Sequence, residues 1–273
     1  MTEPKLLRGS RKHIIDWVRS HDFRDELNAM IGPSRVVVGP NDAFMPTGAD
    51  GEQGIQEARL ETFLPDPAMR EELQRWWLAA PRGANTPNWD LAAHATLNGK
   101  PALVLVEAKA NVNELSDAGK PYPTGKNPPG TPRRTPKPPP SEDSKRNHGH
   151  IGAAIAAASI ALGGIERGFN LSRDSHYQFA NRTAFSWKLA TLGLPTVLVY
   201  LGFTGDEGIL DAGPMLEGPD HWRDILSHHV MGVVPNGVFG EWVNVGPAGF
   251  YPMIASRQRL TASPPRPSKA KTR

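Results

Sequence analysis

Glu107-Ala-Lys109 closes the apolar run Ala102-Leu-Val-Leu-Val106, and Asp90 lies 17 positions before Glu107. Two carboxylates and a lysine, brought together by adjacent strands, are the parts needed to hold a divalent metal and activate water against a phosphodiester. In a strand, successive side chains point to opposite faces, so Glu107 and Lys109 share one face and Ala108 takes the other. Glu107 and Lys109 can therefore reach the same ligand.

The elements that must position these groups are legible on either side. The run from Pro101 to Ala110 has no polar alternation before Glu107. That pattern predicts a central strand, buried on both faces, that delivers its charges only at its end. Trp89-Asp-Leu-Ala-Ala-His-Ala-Thr-Leu97 fits a second strand. Asn98-Gly99 is the dipeptide that closes a tight type I′ hairpin between the two. With the turn there, Leu97 pairs with Lys100, and counting outward pairs Asp90 with Glu107. Like charges directly opposite one another destabilise a sheet unless something cationic sits between them. A bound metal would supply it. Hard oxygen donors with no cysteine or paired histidine favour Mg²⁺ or Mn²⁺ over Zn²⁺.

Pro87-Asn-Trp-Asp90 followed by Glu107-Ala-Lys109 resembles the motif of the PD-(D/E)xK nuclease superfamily, the restriction-endonuclease-like fold. The proline departs from the pattern by standing three residues before the aspartate. The resemblance implies an α/β fold whose core runs helix, three strands, helix, strand, with a central mixed sheet of four or more strands flanked by helices. It implies a metal-dependent nuclease in which Asp90, Glu107 and the Ala108 backbone carbonyl hold Mg²⁺ or Mn²⁺. Lys109 would orient or deprotonate the attacking water. The implied partner is nucleic acid, DNA ahead of RNA, and a homodimer is one arrangement open to enzymes that cut both strands.

The first helix of that core often carries another acid toward the metal. Residues 51–64, with Ile55, Leu60, Phe63 and Leu64 apolar and Pro65 stopping the run, read as that helix. Glu57 and Glu61 lie one turn apart on it. Glu57 is the candidate additional catalytic and metal-binding acid, with Glu61 as the substitute; the same pair also suits a solvated acidic face. Residues 176–190 read as the later helix and Thr196 to Phe203 as the strand after it. Gln178 and Arg182 on that helix are candidate substrate-binding residues, Arg182 for a phosphate charge. Alternatively, they satisfy loop backbone in a core helix.

Composition bounds the rest. The chain has 273 residues, no cysteine, 27 prolines and 27 glycines. No disulfide framework, zinc-thiolate site or cysteine nucleophile can be built from it, and neither a P-loop nor a Gly-x-Ser-x-Gly elbow is present. The N-terminus lacks an apolar leader, and Ile151 to Ile165 is too short and too rich in Ala and Gly to span a bilayer. A cytoplasmic address without a membrane partner is the expectation. Residues 1–256 read as a single domain, with the core at about 52–203. A flexible, basic, Pro-rich insertion is expected at about 116–146, a helical insert at about 147–165, and a disordered basic tail at 257–273. The two basic segments suit either phosphate tracking or solubilisation.

The flanks predict one or two N-terminal helices broken near Ser20-His-Asp22, a short strand at Arg35 to Val38 and a helix from Pro67 to Ala80. Beyond Phe203 they predict a helix from Asp220 to His229 and late edge strands near Gly240 to Val245 and Phe250 to Ile254. Histidines 148, 150, 228 and 229 stand at helix ends, where they suit capping or dipole compensation. Two readings without catalysis stand beside the nuclease: a binding or adaptor protein that keeps the fold, and a plain strand-end ion pair at Glu107 and Lys109.

Overall fold

The computed structural model describes residues 7–124 and 139–258. The protein is α/β, with a mixed sheet flanked by helices. Helices α1 (Gly9–Val18) and α2 (Phe23–Ile31) lead into the short strands β1 (Val36–Val37) and β2 (Phe44–Met45). Then come β3 (Ala58–Arg59), α3 (Leu60–Phe63) and α4 (Pro67–Trp77). The next strands are β4 (Asn88–Trp89), β5 (Leu91–Leu97) and β6 (Lys100–Lys109). Helices α5 (Glu142–Ile165) and α6 (Tyr177–Thr191) carry the chain across to β7 (Thr196–Thr204), followed by α7 (Pro219–His229), β8 (Val243–Asn244) and β9 (Gly249–Gln258). The sheet order is β1-β5-β6-β7-β9-β8, with β2 also on β5.

The hairpin that sets the register forms as its turn residues dictate. Asn98 and Gly99 both have positive φ, 52° and 76°, which is the type I′ signature. Leu97 faces Lys100 and Leu91 faces Val106. Strand β6 then pairs antiparallel with β5 on one side and parallel with β7 on the other, with Glu107 opposite Tyr200 and Lys109 opposite Gly202. A strand paired on both edges and covered on both faces leaves no room for polar alternation, which explains the unbroken apolar run.

The two faces have different covers. Leu103, Leu105, Leu198 and Tyr200 pack with residues of α4, α5, α6 and α7. Val104, Val106, Ala108, Val199 and Leu201 pack with Ile14 and Trp17 of α1 and Leu27 of α2. Glu107 and Lys109 are in phase with Leu105, so they point to the α6 side. Helix α6 presents Phe179, Ala180, Ala184, Phe185 and Leu189 to that core.

Several expected boundaries move. Residues 51–64 do not form one helix. A 3₁₀ turn at Gln53–Ile55 precedes β3 and the single turn α3. Four residues, of which only Ala58 is apolar, separate Ile55 from Leu60, and the five-position step between them does not follow one helical stripe. Gly51 and Gly54 weaken a helix further, and Gly54 lies so close to the Ala49 carbonyl that a side chain there would collide with it. The helices ahead of the antiparallel strands are instead α1 and α2, so the packed core begins near residue 9 rather than 52.

The expected insertion is tied down at both ends. Ala118 bridges Ser175, and the Lys120 amide donates to the Arg173 carbonyl at 2.7 Å. Helix α5 starts at Glu142, five residues before the expected 147, because Ser141 caps it through the Ser144 amide and Glu142 and Asp143 occupy its first turn. Residues 125–138, the middle of the expected Pro-rich insertion, lie outside the described residues. By length and composition α5 is apolar enough to cross a membrane, yet Ile151, Ile155, Ala158 and Leu162 pack into the core. The expected tail also starts too early: β9 runs to Gln258, and Arg257 pairs with Glu26 at 2.8 Å and stacks over Trp17. Residues 259–273 lie outside the described part. Strand β9 is interior, between β7 and β8, rather than an edge.

Candidate functional site

Four charged side chains meet where β6 ends beneath α6. Asp90 sits at a bend between β4 and β5. Its Oδ2 accepts the Ala108 amide at 2.7 Å, so it caps the edge of β6 where the β5 ladder stops. Glu107 is 2% exposed, Lys109 6% and Arg182 7%. Lys109 Nζ donates to Glu107 Oε1, and Arg182 Nε donates to Glu107 Oε2 at 2.6 Å. The predicted register is therefore realised, and it brings Asp90, Glu107 and Lys109 together with one of the two polar α6 residues singled out.

Arg182 is the hub. Its Nη1 donates to Asn181 Oδ1 at 2.8 Å and its Nη2 to the Asn88 carbonyl at 2.7 Å. Its guanidinium also lies over the Trp89 ring, 4.7 Å from the centroid. Gln178 is half-buried one turn earlier and makes no side-chain hydrogen bond to the described residues.

Electrostatics divide the two acids. Burial pushes the Glu107 carboxyl up, but Arg182 and Lys109 outweigh burial and hold it below the usual carboxylate range. Burial and then the Glu107 charge push Asp90 up to about 7, against the pull of Lys109 and the Ala108 amide. Burial opposes the charge on Arg182, and Glu107 overcomes it. With both acids ionised the four charges sum to zero. Both cations pair directly with Glu107, and Asp90 has no ion pair of its own among the described residues.

A divalent cation suits that deficiency. Asp90 and Glu107 offer hard oxygens of the kind Mg²⁺ takes when it binds through one or two carboxylates and keeps waters. Strand alternation adds the Ala108 carbonyl. The Leu103 amide donates to Pro195, ahead of β7, so the odd-numbered residues of β6 bond toward β7 and the even-numbered ones toward β5. The Ala108 carbonyl is thus on the Asp90 edge. No cluster of three or more His, Cys, Asp or Glu that could hold a metal occurs among the described residues, so an ion here would have only these two carboxylates and backbone to bind.

The expected helper acids sit differently. Glu57 Oε2 accepts from Asn88 Nδ2 at 3.1 Å, and Glu61 accepts from Thr86 Oγ1. Glu57 is thus one residue removed from the Arg182 hub through Asn88, and Glu61 faces away toward Thr86. His148 and His150 contact the Lys120 and Arg75 carbonyls, each at 3.1 Å.

Sequence reading assigned no site role to Asn88, Asn181, His176 or His229. Asn88 had one signal, its place inside Pro87-Asn-Trp-Asp90. His176 starts α6 at φ 47°, in the left-handed region, with its Nδ1 buried and unpartnered among the described residues. Its ring lies 4.8 Å from that of His229. Burial pushes His229 below its ordinary value, and His176 and Lys109 act in the same direction against Asp117. Lys120, expected in a mobile linker, is half-buried over Tyr177, 4.8 Å from the ring centroid, and burial lowers its pKa.

No family model matches the chain, and no match was found among curated proteins or solved structures.

Proposed function

We propose that this protein is a metal-dependent nuclease of the PD-(D/E)xK kind, hydrolysing phosphodiester bonds in nucleic acid, DNA ahead of RNA. The observation that carries the reading is Asp90 holding the Ala108 amide at 2.7 Å within the Glu107-Ala-Lys109 segment. That contact fixes one carboxylate at the edge of the strand that carries the other. The order of elements supports it: helices α1 and α2, antiparallel β1, β5 and β6, helix α6, then β7 parallel to β6. With the intervening β2 to β4 and α3 to α5 set aside, this subset is compatible with the helix, three-strand, helix, strand order expected of a restriction-endonuclease-like core.

Asp90, Glu107 and the Ala108 carbonyl would hold Mg²⁺ or Mn²⁺. A divalent ion bound there supplies Lewis acidity and a bound water of lowered pKa. The residues of the chain do the rest. Lys109 Nζ, anchored on Glu107, offers its remaining N–H donors to the attacking water and to the phosphate oxygens. Arg182, buried beside Glu107, has three of its five N–H donors bonded within the protein and would offer the other two to a phosphate. Asn181 and the Asn88 carbonyl hold the guanidinium in place. Glu57, through Asn88, steadies the same wall.

One observation favours a second reading. Both Glu107 oxygens are satisfied by cations, so the cluster is neutral and self-sufficient as a structural pin between β6 and α6. A binding or adaptor protein that keeps the fold would need nothing more. The deciding experiment incubates native, Asp90→Asn and Lys109→Met proteins with supercoiled plasmid and single-stranded DNA, in Mg²⁺, in Mn²⁺ and in chelator. Metal-dependent cleavage lost in both variants is the expected result; intact DNA in every lane with native protein overturns the nuclease reading.

A further inference from the structure

Beside the Arg182 hub, a cleft of about 470 Å³ opens between α1 and the β3–β4 pair. It is lined by Arg11, Gln56, Glu57, Arg59, Thr62 and Asn88, among others. Asn88 is the shared wall. Its carbonyl receives Arg182 at 2.7 Å, while its side chain receives Arg59 Nε at 3.0 Å and donates to Glu57 at 3.1 Å. Whatever fills the cleft is therefore one residue away from the carboxylate cluster.

Its charge is the informative property. Among the described residues, the Arg11 side chain donates only to the Ile55 carbonyl, at 3.1 Å, and the Arg59 side chain only to the Asn88 side chain. Neither guanidinium has a carboxylate partner within ion-pair distance among the described residues, and both residues are exposed. Two cations and Glu57 give this wall a net charge of +1, and one of the two Glu57 oxygens, Oε2, is held by Asn88. Forked donors left without an acid, in a concave site, suit a phosphate. The volume falls in the range of small-ligand pockets. It is large enough for one nucleotide unit. Gln56, an exposed residue, and Thr62 add neutral polar groups to the lining, the kind that pair with an unpaired base edge in recognition of single strands.

We propose that this cleft is the subsite for a nucleotide of a single polynucleotide strand adjacent to the cleaved bond, with Arg11 and Arg59 on its phosphate. The inference rests on the nuclease reading for its position in the reaction, and on the cleft alone for its binding.

The test uses the full chain carrying Asp90→Asn, so that substrate persists. A fluorescent single-stranded oligonucleotide is titrated in chelator at several salt concentrations, with and without Arg11→Ala or Arg59→Ala. Each substitution is expected to weaken binding about tenfold and to reduce the slope of log affinity against log salt by about 0.7, the value for one lost phosphate contact on a single strand. Arg11→Lys should keep the slope and recover part of the affinity. Unchanged affinity and slope in both alanine variants, with unchanged thermal midpoints, overturns the subsite. Cleavage by native protein is scored separately. If it occurs and the arginine variants share its KM, the subsite is wrong and the nuclease stands. If native protein cleaves nothing while both arginines still govern binding, the subsite stands and the nuclease reading falls.

Discussion

Arg182 donates Nε to Glu107 Oε2 at 2.6 Å, and the two residues are 7% and 2% exposed. A buried pair of this kind gives little net stability when compared with apolar packing, but breaking it is costly because one charge is left behind. Lys109 softens that loss by also holding Glu107.

Arg182→Ala should therefore destabilise the protein by about 3 kcal/mol, read by urea denaturation at neutral pH. Glu107→Gln combined with Arg182→Met should cost clearly less than the sum of the two single changes, because neither buried charge survives to be stranded. Additive losses would show that the pair is not coupled.

Asp90 gives the apo protein a distinctive pH dependence. Its carboxyl is raised from 3.8 to about 7, so the folded state binds a proton that the unfolded chain has already released in that window. Stability from this group is complete below the unfolded value and is lost as pH rises through about 7. In chelator, the thermal midpoint should fall between about pH 5 and pH 8, with solvent at the half-buried Asp90 limiting the effect to on the order of 2 kcal/mol. Asp90→Asn should flatten that slope and raise the midpoint at the alkaline end. A native profile that rises with pH in chelator contradicts the assignment of Asp90 as the uncompensated acid.

The hairpin that delivers Asp90 is specified by two residues. Gly99 at φ 76° has no neighbour within 4 Å of an added methyl, so Gly99→Ala tests backbone strain alone. A cost of about 1 kcal/mol is expected, with cleavage per folded molecule unchanged because the register is held by seven paired positions. Loss of activity out of proportion to stability would mean that the turn slips and carries Asp90 away from Ala108.

The legible parts of this site are those with strong local grammar. Asn98-Gly99 admits few turns, and an apolar run ending in Glu-x-Lys admits few strand assignments, so the Asp90 to Glu107 register followed from counting. Helix α6 carried its own apolar spacing. Residues 51–64 misled because Ile55, Leu60 and Phe63 are apolar for different reasons: Leu60 and Phe63 pack under α4, while the extended backbone at Gln56 feeds a two-residue strand paired with Asn88 and Trp89. No local signal encodes a pairing across thirty positions. The same holds for His176 and His229, which meet only because the start of α6 and the end of α7 converge. Arg11 reaches Ile55 across the cleft from α1, a contact that no periodicity in either segment announces.

Lys109 separates a catalytic cluster from a structural pin. As part of a pin, its removal should act through stability alone. As the group that meets water and phosphate, its removal should lower turnover in folded protein by about 10²- to 10³-fold, the usual loss for one preorganised donor. Lys109→Met keeps the apolar stem and deletes one positive charge, leaving the four-group cluster at −1 with both acids ionised. Mn²⁺ should then bind at least as tightly as to native protein, measured by calorimetry, while cleavage falls. Asp90→Asn should do the reverse, weakening Mn²⁺ by at least about tenfold by removing an anionic oxygen donor. The decisive outcome is a Lys109→Met protein that is folded, metal-bound and inactive. A variant that cleaves at the native rate would remove the lysine from the chemistry and return Glu107, Lys109 and Arg182 to the role of an anchor between β6 and α6.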